Sequence, residues 1–423
     1  MKKRNVFVVV ALSATLMVPL VGTISGTVAS ASSPRTNAVK LSGATKGAKL
    51  TLMFGSSGTA ETKAVNAAAA AWSKASGNKV SVISASNFSQ QLAQGFAGGT
   101  PPDVFYLSSS QLETFAKQGD LLPYASQAAK ASDFYPALVK AYTYNKTWYC
   151  VPKDFSNLAL EINTTMWKAA GLTNADLPTT WAKLLADAKV LTHQGVVGLD
   201  IGNTLDRLGA FFAENGGSYM NKAGTKFTFN SSQNIAALKY VQSLAKQGVL
   251  AFPPQQSAGW AGEAFGLGKA AMATEGNWII GAMHSSYPKI NWEAVPMPAG
   301  PKGAKGTLTF TNCWGIANQT KYSAAAVNFV RYLTSAAQQL RFANAFGVLP
   351  SRIAAANVYA KKNPSVAAFV QGARYAMAQV STVGFPTVQA AFDNQVLGLA
   401  TGSSNPVTML NQLQTNAQAL LRP

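Results

Sequence analysis

The chain has 423 residues, 48% apolar and only 12% charged, with 35 Lys and Arg against 16 Asp and Glu for a formal net charge of +19. That apolar fraction excludes a disordered polypeptide, and the length exceeds one ordinary core, so two domains or lobes are expected. Basic residues stand singly, with Lys361-Lys362 the longest run beyond the N-terminus, and no Arg-rich arm or basic-aromatic stripe exists, so no nucleic-acid partner is expected.

The first segment sets the compartment. Lys2, Lys3 and Arg4 precede an apolar run from Val6 to about Gly22, and Ala29-Ser30-Ala31 offers a small-x-small cleavage site. This order predicts a secretory signal peptide over 1–31 rather than an uncleaved anchor. No other segment has the length and apolarity of a membrane span. No cysteine precedes Cys150, so an exported chain, periplasmic or extracellular, is expected without a lipid anchor. Removing 1–31 takes three of the 35 basic residues and no acid, leaving 32 against 16 and a net of +16. Two readings of that surplus stand: attraction to an acidic partner or ligand, or the surface of a protein in an acidic medium. Cys150 and Cys313 make a disulfide the first expectation for an exported protein, contributing ~4–5 kcal/mol in the chain-entropy model, with two unpaired buried thiols as the alternative.

Residues 32–48, rich in Ser, Thr, Gly and Lys, read as a flexible lead-in. A strand over 49–54 turns at Gly55-Ser56-Ser57-Gly58 into a helix, Thr59 to Ser76, stopped by Gly77. A strand from Lys79 to Ser84, a helix from about Phe88 to Gly98-Gly99, a strand over 103–107 and a helix from Ser109 to Gln118 follow. Such alternation predicts a parallel sheet covered on both faces. Trp148 to Pro152 is an extended crossing with no helix before it, and Leu158 to Ile162 begins a second α/β stretch. Helices are predicted from Trp181 to Leu191 and from Ser231 to Ala245, and strand pieces over 272–278 and 292–295. Thr307 to Ala317 is a second crossing, followed by helices over 323–333 and 336–346 and a helical C-terminal third with loops at 363–364 and 384–386.

Several short motifs then occur in one order. They are Gly98 to Tyr106 (GGTPPDVFY), Phe115 to Pro123 (FAKQGDLLP), Val151-Pro152 with Leu160 to Asn163, and Leu177 to Trp181 (LPTTW). Phe265 to Met272 (FGLGKAAM) with Gly276-Asn277-Trp278, Pro296-Met297-Pro298, and Gly347 to Arg352 (GVLPSR) complete the series. In this order the chain resembles the extracellular solute-binding proteins of carbohydrate ABC transporters, the maltose-binding-protein-like family 1, over nearly the whole mature length. It departs from them at Cys150, where glycine is usual, at Ile162 for a common tyrosine, and at Thr311-Asn312 for a double glycine.

The resemblance implies an α/β, two-lobed periplasmic-binding-protein fold of type II, with three hinge crossings and a ligand cleft between the lobes. The N-terminal lobe would hold 49–151 plus 315–355, and the C-terminal lobe 154–311 plus 356–423. The first two crossings would be neighbouring strands, which would bring Cys150 and Cys313 within disulfide reach. The implied role is capture of a sugar or oligosaccharide by hinge closure and delivery to a transmembrane ABC permease, by a monomer with no cofactor, no metal and no catalysis. An anionic sugar such as a sugar phosphate, and a secreted carbohydrate-active enzyme, are the alternatives.

Sugar capture needs flat apolar faces for C–H groups and short polar side chains for hydroxyls. Strand-end loops supply Ser56, Ser57, Ser108 and Ser109, with Ser110 beside them, and the crossings supply Asp154, Phe155 and Asn312, in preference to Trp314. Trp278 is the leading stacking candidate, with Trp260 and Phe385 behind it; Arg352 is weighed between a ligand contact and a structural ion pair. A turn, a helix cap or a core position is the competing reading for each. His193 and His284 are isolated and no zinc spacing or G-x-S-x-G elbow exists. Gly266 to Ala271 fits G-x-G-x-x-A but lacks a preceding strand and a well-placed acid, so a dinucleotide site is rejected.

Overall fold

The computed structural model describes residues 40–421, so the expected signal peptide lies outside the described residues. Strands run in the order β1 (Lys49–Phe54), β2 (Lys79–Ser84), β3 (Val104–Ser108), β4 (Thr143–Tyr144), β5 (Thr147–Trp148) and β6 (Pro152–Asn163). They continue with β7 (Val197–Ile201), β8 (Leu250–Ala251), β9 (Ala270–Gly276), β10 (Trp292–Val295), β11 (Leu308–Ile316), β12 (Leu349–Pro350) and β13 (Met377–Ala378). The main sheet has the order β2-β1-β3-β11-β6-β9-β7-β8. At one end β2, β1 and β3 are parallel, and at the other β9, β7 and β8 are parallel, as strand-helix-strand units require. Between them β11 and β6 run antiparallel to each other and to their outer neighbours.

The helix Thr59–Ser76 shows how sequence sets the packing. Val65, Ala68, Ala69 and Trp72 fall at helical spacing and are its buried stripe, and Gly77 closes it at φ 72° in the left-handed region. One core gathers Leu50, Leu52 and Phe54 of β1 with Val104 to Leu107, Val151, Trp314 and Phe329. A second gathers Leu158, Leu160 and Ile162 with Leu199, Phe211, Leu238, Leu308 and Leu410. A smaller third holds Tyr135, Phe155, Phe265, Ile279, Leu349 and Phe369.

β11 passes from one large core into the other, with Leu308 in the second and Cys313 in the first, while β6 follows Val151 of the first core, places Phe155 in the third and enters the second at Leu158. The first half of β6 pairs with β11, and its second half pairs with β9 and β10. The strand expected to begin at Leu158 is therefore the far half of a twelve-residue crossing. Cys150 and Cys313 are disulfide-bonded with Cα atoms 5.9 Å apart, as the resemblance implied.

Other differences have local causes. A helix, Pro136–Ala141, and the β4–β5 hairpin do precede the first crossing. The stretch after β3 is a 3₁₀ turn, Ser109–Gln111, before a helix from Leu112 to Lys117. Gly384-Phe385-Pro386 is a helix start, Gly384 being the cap and Pro386 filling a first-turn position that needs no N–H. Of the lead-in, Ser42 is bonded to Ser323, and Ala48 is buried with its N–H on Asn78. Among the described residues no helix is long and apolar enough to cross a membrane.

Candidate functional site

The strands that join the two cores are buried almost throughout, and the exceptions coincide. In β6 only Ser156 is not buried; in β11 only Phe310 and Asn312; in β3 only Ser108. Phe310 lies opposite Ser156, and Asn312 lies opposite both Asp154 and Ser108. Opposed residues share a sheet face, and so do residues two apart. Ser108, Asn312, Phe310 and Ser156 therefore form one open patch at the junction of the two cores. The same alternation turns Phe155 to the other face, where it is 1% exposed and packs edge-on against Tyr135 in the third core. The expectation that Phe155 reaches ligand is corrected on that ground.

A polar network borders the patch. Ser57 donates its N–H and its hydroxyl to Glu61 Oε2, each at 2.7 Å. Glu61 Oε1 accepts from Tyr106 at 2.8 Å and from Lys153 Nζ at 3.3 Å. Lys153 also pairs with Asp154. All three charged groups are buried. Burial pushes the Glu61 carboxyl up, but Lys153, Ser57 and Tyr106 outweigh it and hold it below the usual range. Asp154 has fewer donors, so burial wins there over Lys153 and its pKa is raised. Ser57 and Asp154 are thus tied together through Glu61 and Lys153, neither of which the sequence motifs flagged. Ser56 closes the turn, donating to Gly58 and accepting from Thr62. Ser108 caps the following 3₁₀ turn, whereas Ser109 is 2% exposed and points inward, against expectation.

An aromatic platform stands on the other side. Trp278 is 36% exposed, its ring edge-on to Phe310 at 5.5 Å between centroids. Its Nε1 donates to Glu275 Oε2 at 3.0 Å. Arg207 donates to the same oxygen from Nε at 3.1 Å and from a terminal nitrogen at 3.0 Å, and its guanidinium lies 4.8 Å from the Trp278 ring. Gly276 is needed beneath the indole, since a Cβ there would stand 2.2 Å from the ring. Burial raises the Glu275 pKa and Arg207 opposes it; burial and then Glu275 raise Glu161 strongly, and push Asp200 up to about 8.

The remaining candidates divide. Trp260 is half-buried, lies against Gly262 and packs on the third core. Phe385 is 3% exposed and stacked with Phe227 and Phe229 at 5.8 and 5.7 Å, so it is a core ring that only borders a cavity. Trp314 is fully buried against Tyr106. Arg352 is bonded to Asp133 at 2.7 Å and to the Thr334 carbonyl, the structural alternative. The cavity bordered by Phe385 has a volume of about 260 Å³ and also takes Ser110, Gln379, Gln389, Asp206 and Asp393 into its wall. Among the described residues no group of three or more His, Cys, Asp or Glu could hold a metal ion.

Two cores joined by antiparallel crossings, with an open polar-aromatic patch where they meet, define a two-lobed solute-binding protein of type II. The chain belongs to the bacterial extracellular solute-binding proteins, whose family model matches residues 55–340. A binding protein of Brucella abortus strain 2308 is 24% identical over 351 residues, covering 79% of this chain and 83% of that protein. The diacetylchitobiose-binding protein DasA of Streptomyces coelicolor is 25% identical over 278 residues, covering 62% and 63%. The crystal structure of a cyclic α-maltosyl-1,6-maltose-binding protein from Arthrobacter globiformis superposes with a TM-score of 0.78 at 21% identity, over 88% of this chain and 98% of that one.

Proposed function

We propose that the chain is the exported substrate-binding component of an ABC importer, which takes a sugar or oligosaccharide into its cleft and presents it to a transmembrane permease. The observation that carries this reading is the exposed Trp278 face beside the Ser108, Asn312 and Ser156 side chains, because a pyranose needs one flat apolar partner and several short polar ones. The carbohydrate names of DasA and the Arthrobacter protein agree with it.

The lobes proposed are 49–151 plus 315–355 and 154–311 plus 356–423, and the division is supported by the two large cores, one drawn from 48–151 and 313–342 and the other from 158–308 and 380–417. Hinge motion at the crossings would close them, since a ligand touching both lobes favours the state in which it does so. The role is non-catalytic, and the protein acts as a monomer without a lipid anchor. The sugar-phosphate alternative is disfavoured because Asp206 and Asp393 are the charged residues in the cavity wall.

A thermal-shift screen of neutral, amino and phosphorylated sugars, followed by chromatography of the incubated ligand, tests the reading. Stabilisation without turnover is expected. Hydrolysis of the oligosaccharide, or no stabilisation by any sugar, contradicts it.

A further inference from the structure

We infer that Arg207 is the positioning residue of the Trp278 platform: it sets ligand affinity by holding the indole against the crossing strand β11, without touching the ligand itself. The inference rests on the sugar-binding reading and deepens it.

Arg207 stands in the first turn of the helix Leu205–Glu214. A cation there opposes the helix dipole, so the position by itself disfavours arginine. Glu275 offsets that cost, its Oε2 accepting from Arg207 Nε at 3.1 Å and from a terminal nitrogen at 3.0 Å. The same oxygen accepts the Trp278 Nε1–H at 3.0 Å, so one buried carboxylate oxygen fixes guanidinium and indole relative to each other. The guanidinium then lies 4.8 Å from the Trp278 ring and 5.7 Å from the Phe310 ring, and the two rings meet edge-on at 5.5 Å. Phe310 belongs to β11, so Arg207 is packed between the platform and a strand that runs from one large core into the other.

The backbone is cleared for both side chains. A Cβ on Gly202 would stand 2.9 Å from Arg207 Cγ, and one on Gly276 would stand 2.2 Å from the indole. Neither charged partner is placed to meet a ligand. The Glu275 side chain is 1% exposed, and that of Arg207 is 19% exposed with two of its nitrogens committed to Glu275. Trp278, at 36%, is the exposed member of the group. Arg207 therefore acts on a ligand through the ring. An indole free to turn would lose that freedom on binding, and a ring held in advance does not.

A double-mutant cycle read by calorimetry, with the tightest ligand from the sugar screen, tests the inference. Arg207→Lys keeps the charge but loses the planar fork and the stacking face. It should weaken binding about fivefold when Trp278 is present, and by less than about twofold in Trp278→Ala, where no ring remains to position. Glu275→Gln keeps an acceptor oxygen but gives up the charge that anchors Arg207, and should follow the same pattern. Fluorine NMR on protein carrying fluorinated tryptophan reads the ring itself, its line assigned by its loss in Trp278→Phe. Without ligand, that line should be single and narrow in the unmutated protein. In Arg207→Lys it should shift or broaden while the lines of the other tryptophans stay in place.

Equal losses of affinity with and without Trp278 would mean that Arg207 meets the ligand directly, and would overturn the inference. An unchanged Kd or an unmoved Trp278 line in both variants does the same. A broad or multiple Trp278 line in the unmutated protein also overturns it, so a folding defect in either charge variant does not shield the inference. Any of these results with sugar binding retained leaves the sugar-binding reading standing. Binding of no sugar overturns that reading and the role of Arg207 in capture with it.

Discussion

Trp278→Ala separates a ligand platform from a core tryptophan. The side chain of a tryptophan carries roughly 200–250 Å² of surface, and 36% of this residue is exposed, so roughly 80 Å² of indole is free for a ligand. Covering that area at about 25 cal/mol per Å² contributes about 2 kcal/mol, or close to thirtyfold in Kd. The fold depends on the ring less than the ligand does. Truncation removes the edge contact with Phe310, the contact of the Arg207 guanidinium with the ring and one of three donors to Glu275 Oε2, while both Arg207 donors remain. The expected loss of folding stability is about 1–2 kcal/mol, the ordinary cost of a partly buried side chain and its hydrogen bond. Calorimetric titration with the tightest ligand from the sugar screen, alongside urea unfolding, reads both numbers. Trp278→Phe should fall between, keeping part of the apolar face and losing the N–H bond. If Trp278→Ala binds within twofold of the unmutated protein while losing 3 kcal/mol or more of stability (roughly the cost of a buried tryptophan), the ring belongs to the core and the platform argument is wrong.

Three further outcomes follow from the same geometry. Cys150→Ser with Cys313→Ser removes a crosslink between residues 163 apart, for which chain entropy gives about 5 kcal/mol; urea midpoints with and without reductant should show a loss of that order, confined to the oxidised protein. Lys153→Met leaves the buried Glu61 and Asp154 carboxylates without their cation and should cost about 3–5 kcal/mol in urea unfolding, with part of the loss recovered by adding Glu61→Gln. Asp200 is buried with neither carboxylate oxygen bonded, and burial first and then Glu275 push it up to about 8, so the folded chain keeps a proton that the unfolded chain releases near pH 4. Its contribution is thus fully present below about pH 4 and lost as pH rises towards about 8. Asp200→Asn should flatten the decline in stability across that window, and an unchanged pH profile would reject the assignment.

What the sequence made legible was what local chemistry dictates. Gly77 ended its helix where it was expected to, and Gly347 closed the helix expected over 336–346, both at left-handed φ values. Thr180 and Ser231 opened helices through their side-chain oxygens. Cys150 and Cys313 paired because their strands are adjacent, which followed from motif order and not from their spacing. What stayed hidden was joined across the fold. Lys153 lies 92 residues from Glu61, and Arg207 lies 68 from Glu275, so nothing in either neighbourhood marks them as partners. Phe155 and Phe385 illustrate the complementary difficulty. An aromatic beside a hinge or a late loop looks the same in sequence whether it faces ligand or core. Strand parity decided the first, and stacking on Phe227 and Phe229 decided the second. The missed helix Leu205–Glu214 carries both Asp206 and Arg207, so overlooking it hid a wall of the cavity and the support of the platform together.

Small-angle X-ray scattering during titration with a saturating oligosaccharide tests cleft closure most directly. The radius of gyration should decrease as the sites fill and reach its minimum at one ligand per chain, and in Trp278→Ala the same decrease should need about thirtyfold more free ligand. Ligand binding at full stoichiometry with no change in the scattering profile would contradict capture by two lobes closing on one sugar.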